Sequence, residues 1–143
     1  MLNGSDHSWV FFAVLALLVW GVWGFAARLA AASIGWREMT VLGSIGSVSS
    51  MIVFALLTRP NLSYPLSAFM LAFVVGVLGF MGAPIFYAAL ERNPSAIVVV
   101  VTSLYPVVTI ILSTLILNEV PTTRQVVGIV LAIAALVLIS SKT

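Results

Sequence analysis

The sequence predicts an all-α, polytopic membrane protein with five transmembrane helices. Of its 143 residues, 62% are hydrophobic and only 7% are charged, against roughly 25% charged in a soluble domain. A water-soluble sphere with this composition would lack a polar skin. The few charges fall between long apolar stretches, each near the roughly 20 residues that cross a hydrocarbon core. Backbone groups in lipid must be satisfied within a helix or a closed barrel, and runs this long and evenly apolar exclude barrel strands.

After a leader at residues 1–8, the first span is expected at 9–32. Ala30, Ala31 and Ala32 resemble a signal-cleavage site, but the leader carries Asp6 and no Lys or Arg, and the apolar run exceeds the roughly 7–15 residues of a signal. A mature helix is the reading kept. The second span, 39–58, is sprinkled with Gly43, Ser44, Gly46, Ser47, Ser49 and Ser50, small residues that let helix backbones approach closely. The third, 66–90, repeats the theme with Gly76, Gly79 and Gly82 ahead of Pro84. The fourth, 94–117, is expected to start with Asn93 as N-cap and Pro94 at the first helical position, where a missing N–H costs little. By the same logic Pro121 opens the fifth, 121–141, in which Gly128 pairs with Ala132. Links this short make consecutive helices antiparallel neighbours and leave no room for a soluble domain.

Several function classes drop out on charge and composition. Six Lys/Arg spread singly along the chain do not make a phosphate-tracking patch, so nucleic acid is not an expected partner. With no cysteine, and with His7 alone in the leader, no metal site is expected. No GxSxG elbow, HExxH pair, phosphate loop or intramembrane histidine is present, so neither catalysis nor a cofactor is expected. The partner that composition does imply is the lipid bilayer.

Ionisable groups within spans are functional candidates by default. Arg28 is the clear one, about 28 Å along a helix begun at Trp9. The favoured reading is that it snorkels to the headgroups; the sharper one makes it a charge site lining a cavity. Asp6, Glu38, Glu91 and Glu119 all fall in the leader or connections, so a carboxylate-based proton mechanism deep in the bilayer is not supported. Along the fourth span Thr102, Tyr105, Pro106, Thr109 and Ser113 share one face. Pro106 withholds a hydrogen bond from Thr102 and is expected to kink the helix there. Trp20 and Trp23 lie past the middle of the first span, away from the interfacial belt that Trp9 and Trp36 fit. Helix-to-helix glue and lipid-facing packing are the plainer readings of these hydroxyls and rings.

Orientation is weakly set. With the N-terminus inside, Arg59 and Arg124 are cytoplasmic, while Arg37, Arg92 and Lys142, joined by Arg28, lie outside. Such near balance permits insertion both ways. An odd-span unit paired with an inverted copy of itself would give the two-repeat layout common among transporters, with the solute site between the halves.

The order and spacing of several motifs resemble the EamA-like domain of the drug/metabolite transporter superfamily. They are Trp20-Gly21 followed by Arg28, Phe86-Tyr87-Ala88-Ala89-Leu90 leading into Ala96, Tyr105-Pro106-Val107 with Thr109, Leu117-Asn118-Glu119, and Gln125-Val126-Val127-Gly128. The resemblance covers nearly the whole chain and is strongest from Phe86 onward. It implies one five-helix half of an inverted-repeat transporter, in a bacterial or archaeal plasma membrane, resembling the family's short members. Small multidrug resistance proteins differ in having four helices and an acid in the first, which this sequence lacks. The function expected is a dimeric, antiparallel exporter of small metabolites or drug-like solutes. Trp20, Tyr87, Thr102, Tyr105 and Thr109 are the expected cavity contacts and Pro106 the bend. The alternatives are a non-transporting membrane subunit or a separately encoded half of a heteromeric transporter.

Overall fold

A computed structural model of the chain describes residues 8–140. Within them lie α1 (Ser8–Ala31), α2 (Trp36–Thr58), α3 (Leu66–Arg92), α4 (Ala96–Thr102), α5 (Tyr105–Leu117) and α6 (Thr123–Ser140), and no strand. The chain divides into two units, Met1–Pro94 carrying α1 to α3 and Ser95–Thr143 carrying α4 to α6. The expected leader residues Asp6 and His7, and the last expected helical residue, Ser141, lie outside the described residues.

In the first unit α3 packs against both α1 and α2. The short α1–α2 turn is closed by the amides of Ser33 and Ile34, both donating to the Ala30 carbonyl. Helix α2 starts at Trp36 and not at 39, because its charged first turn is helical: Glu38 there favours the positive end of the helix dipole. Hydropathy alone does not see such a turn. The helix ends where Arg59 adopts a left-handed conformation (φ 45°) and its amide returns to the Ala55 carbonyl, just ahead of Pro60. Helix α3 likewise outruns its expected end to Arg92, whose Nη1 donates to the Ala88 carbonyl at 2.7 Å.

The expected continuous helix over 94–117 is corrected by the structure: it is broken between Thr102 and Tyr105. Pro106 has no N–H for the Thr102 carbonyl and its ring crowds that position. The chain answers with a turn in which Leu104 N–H donates to Val101 O at 3.3 Å and Val107 N–H to Leu104 O at 2.9 Å. The bend expected at Pro106 thus takes the form of a two-residue turn at Ser103 and Leu104, with the proline in the first turn of α5. Pro94 does not open the helix either; Ser95 takes the N-cap position and α4 begins at Ala96. Across the break, Ala96–Leu117 remains long and apolar enough to cross a membrane, as do α1, α2 and α3.

The start of the last helix also differs, since Pro121 stays outside and Thr122 caps it. Gln125 Oε1 accepts the Thr122 amide at 2.7 Å while the Gln125 amide reaches Thr122 Oγ1 at 3.4 Å, a reciprocal capping box. The Thr122-x-x-Gln125 pattern, not the proline, carried the boundary. Thr122→Ala is expected to lower stability by about 1 kcal/mol, read as a lowered midpoint in detergent unfolding, with α6 amides exchanging faster at their N-terminal end. The apolar part of this helix, Thr123–Ile139, is shorter than the other four candidate spans, near the lower end of the roughly 17–25 residues that cross a bilayer.

Buried residues in the first unit gather at one end of it: Gly24 and Ala27 late in α1, Met39 early in α2, and Phe86, Tyr87 and Leu90 late in α3. Leu90 is wholly enclosed. Elsewhere the helices present their apolar side chains outward, as a lipid-facing chain does.

Candidate functional site: a hydroxyl-lined groove between α2 and α3

Between α2 and α3 runs an open groove of about 480 Å³, lined by Thr40, Val41, Ser44, Ile45, Val48, Ser49 and Phe80. Its polarity comes from the helical repeat of Thr40 and Ser44, one turn apart, with Ser49 beyond them. Each hydroxyl donates to its own helix: Thr40 to Trp36 O at 2.7 Å, Ser44 to Thr40 O at 2.7 Å and Ser49 to Ile45 O at 2.8 Å. With the proton committed to the backbone, each oxygen keeps lone pairs to offer a visitor. The groove is otherwise uncharged.

At the buried end of the unit stands an aromatic cluster. Trp23 stacks on Phe86, ring centroids 5.2 Å apart and 25° between planes, and Tyr87 tilts against both at 6.3 and 5.9 Å. Gly43 faces it across the α2–α3 contact, where a Cβ would lie 3.4 Å from the Tyr87 hydroxyl, in ordinary contact. This contact lies one turn from Thr40 and next to Ser44.

The residues singled out from sequence divide between the units. Tyr87 lies in the cluster, but its tryptophan partner is Trp23; Trp20, one turn earlier, is 60% exposed. Thr102, Tyr105 and Thr109 belong to the second unit and flank or follow the break. There Thr102 Oγ1 donates to the carbonyls of Val98 and Val99, Thr109 Oγ1 donates to Tyr105 O at 3.3 Å, and the Tyr105 ring is exposed. That unit has its own small pocket of about 190 Å³, lined by Ile110, Ser113, Thr114, Glu119, Val120, Pro121 and Gln125. Arg28 does more than snorkel: its Nε donates to the Pro94 carbonyl at 3.0 Å. Among the described residues no group of three metal-ligating side chains converges.

Thr40, Ser44, Ser49 and Phe80 of the groove, and Trp23 of the cluster, are not among the solute contacts expected from sequence. The signal for the groove hydroxyls is their spacing on α2, a spacing that also serves helix packing.

The whole described helical region falls inside one known family, the EamA-like transporter family, which matches residues 7–141. The chain belongs to that family. This EamA-like chain is also 31% identical over 131 residues to an uncharacterized protein of Methanocaldococcus jannaschii, covering 89% of this chain and 94% of the relative. No solved structure matches it. As an EamA-like protein with four long apolar helices and a shorter one, it is a multi-pass membrane protein of a transporter family.

Proposed function

We propose that the chain is an exporter of small metabolites or drug-like solutes in the cell membrane, acting as a dimer by alternating access, with the α2–α3 groove as one wall of the solute path. The groove itself carries this reading. It is of solute size, holds hydroxyl acceptors in an apolar setting as small-molecule sites do, and is walled by only two helices, open along one side. A path through the bilayer needs a facing wall. An inverted second copy supplies it, and the near-even distribution of Arg and Lys lets the chain insert both ways. Lone pairs on Thr40, Ser44 and Ser49 favour solutes bearing N–H or O–H donors on an apolar body.

The absence of cysteine makes the test clean. In proteoliposomes of the purified chain, Ser44→Cys is expected to react with a water-soluble maleimide and to be protected by a transported solute, whereas Leu57→Cys, on an 80% exposed apolar position, reacts only with lipid-soluble reagents. Reporters on each terminus should find both orientations, and cross-linking should give antiparallel pairs. A monomer, a parallel pair, or a Ser44 thiol reached only from lipid would overturn the proposal; a chain that cross-links only to another protein would favour an accessory subunit.

A further inference from the structure

We propose that Glu91 and Arg28 form a releasable latch that holds the α1–α2 end of the three-helix unit shut, and that its release is the opening step of the transport cycle. The latch builds on the transporter reading but rests on separate observations.

Two side-chain hydrogen bonds tie distant parts of the first unit together at this end. Glu91 Oε1 accepts the Trp36 amide at 3.3 Å, joining the end of α3 to the first turn of α2. Arg28 Nε donates to Pro94 O at 3.0 Å, joining the last turn of α1 to the residue at which the first unit ends. By contrast, the hydroxyls of α2 and the Arg92 side chain on α3 return to carbonyls four residues away in their own helices.

The latch sits where the burial is. Ala27, Met39, Phe86, Tyr87 and Leu90, which are the buried hydrophobic side chains of this unit, all lie within a few turns of it. What it holds together is therefore the contact zone of three helices. Gly35 beside the latch leaves space for a neighbouring carboxylate: a Cβ there would lie 2.5 Å from Glu38 Oε2 but at an ordinary contact distance, 3.4 Å, from Glu91 Oε1. Both hydrogen bonds are exposed. Each is charge-assisted, but water can replace either partner, so the link is strong enough to bias the closed arrangement and weak enough to break in a working cycle. A sealed, buried ion pair would not have that property.

Opening is read without any solute, through a thiol at Ala27, a position only 4% exposed in the closed end. In the Ala27→Cys chain, reaction with a water-soluble maleimide should be slow. Adding Glu91→Ala with Arg28→Ala should speed it by about tenfold or more, as expected for the loss of two charge-assisted hydrogen bonds. Gly35→Ala, whose Cβ turns aside only the flexible Glu38 carboxylate and leaves Glu91 at ordinary contact distance, should remain slow. Glu91→Gln and Arg28→Lys, which keep an acceptor and a donor, should remain slow.

Should the double variant fail to insert, Arg28→Ala and Glu91→Ala singly carry the test. Spin labels at Ser33 and Asn93, diluted with unlabelled chains, then read the separation of the two connections, which should lengthen and broaden. An unchanged thiol rate in all truncations, or conservative variants that open as far as the truncations, overturns the latch. If latch loss opens the variants while the unsubstituted chain moves no solute, the transport reading is overturned and the latch stands as a conformational lock.

Discussion

Leu90→Ala should destabilise the first unit by about 2–3 kcal/mol, the lower part of the range for emptying a leucine site in a packed core. Leu90 is 0% exposed, beneath the aromatic cluster at the end of α3. In lipid the unfolded reference is as apolar as the folded one, so what is lost is close contact and not transfer from water. That places the cost low in the range but well above background. The matched control is Leu57→Ala, at a position 80% exposed, which should change stability by less than about 0.5 kcal/mol. Unfolding midpoints in a denaturing-detergent titration compare the two; equal shifts would mean that Leu90 is not the centre of this contact zone.

Gly43→Leu should be the most disruptive single change on α2. The 3.4 Å distance from a Cβ to the Tyr87 hydroxyl leaves room for a methyl group and no more. A leucine there forces α2 away from α3 or drives Tyr87 off Trp23, at about 1–3 kcal/mol of overpacking. Because the same two helices wall the groove, solute flux in proteoliposomes should fall at least about tenfold, a factor worth about 1.4 kcal/mol. Gly46→Leu, one turn on, meets nothing within 4 Å and should leave the unit's own stability intact. If both substitutions were equally tolerated, the contact between Gly43 and Tyr87 would not be what sets the helix spacing.

The helical class, the membrane setting and the family were readable from sequence because apolar periodicity and segment length respond to the bilayer itself. Helix ends were less readable. Trp36, Arg37 and Glu38 look like a polar link by hydropathy, yet they satisfy the first turn of α2, and the Thr122–Gln125 capping box outranked the nearby Pro121. The proline at 106 was read correctly as a disturbance, but its size depended on neighbours, and Ser103 and Leu104 close a turn that a kink would not need. Tyr87, singled out through its motif, lies in the aromatic cluster and not in the groove lining. Trp23 was separated from Trp20 only by the rotation of α1 against α3, which a lone helix pattern does not specify. Glycine rows were legible as places of close approach, but what approaches them was not. Among the described residues, a Cβ at Gly46, Gly76, Gly79, Gly82 or Gly128 would meet nothing within 4 Å, whereas one at Gly43 would meet Tyr87.

The self-contained hydroxyls of α2 bear on how the protein is made. Thr40, Ser44, Ser47, Ser49, Ser50 and Thr58 each close onto their own backbone, so the segment can leave the translocon and partition into the bilayer before any companion exists, with no dangling donor to penalise it. Insertion of this segment is thereby uncoupled from helix packing: α2 can enter the bilayer with its hydroxyl polarity already masked.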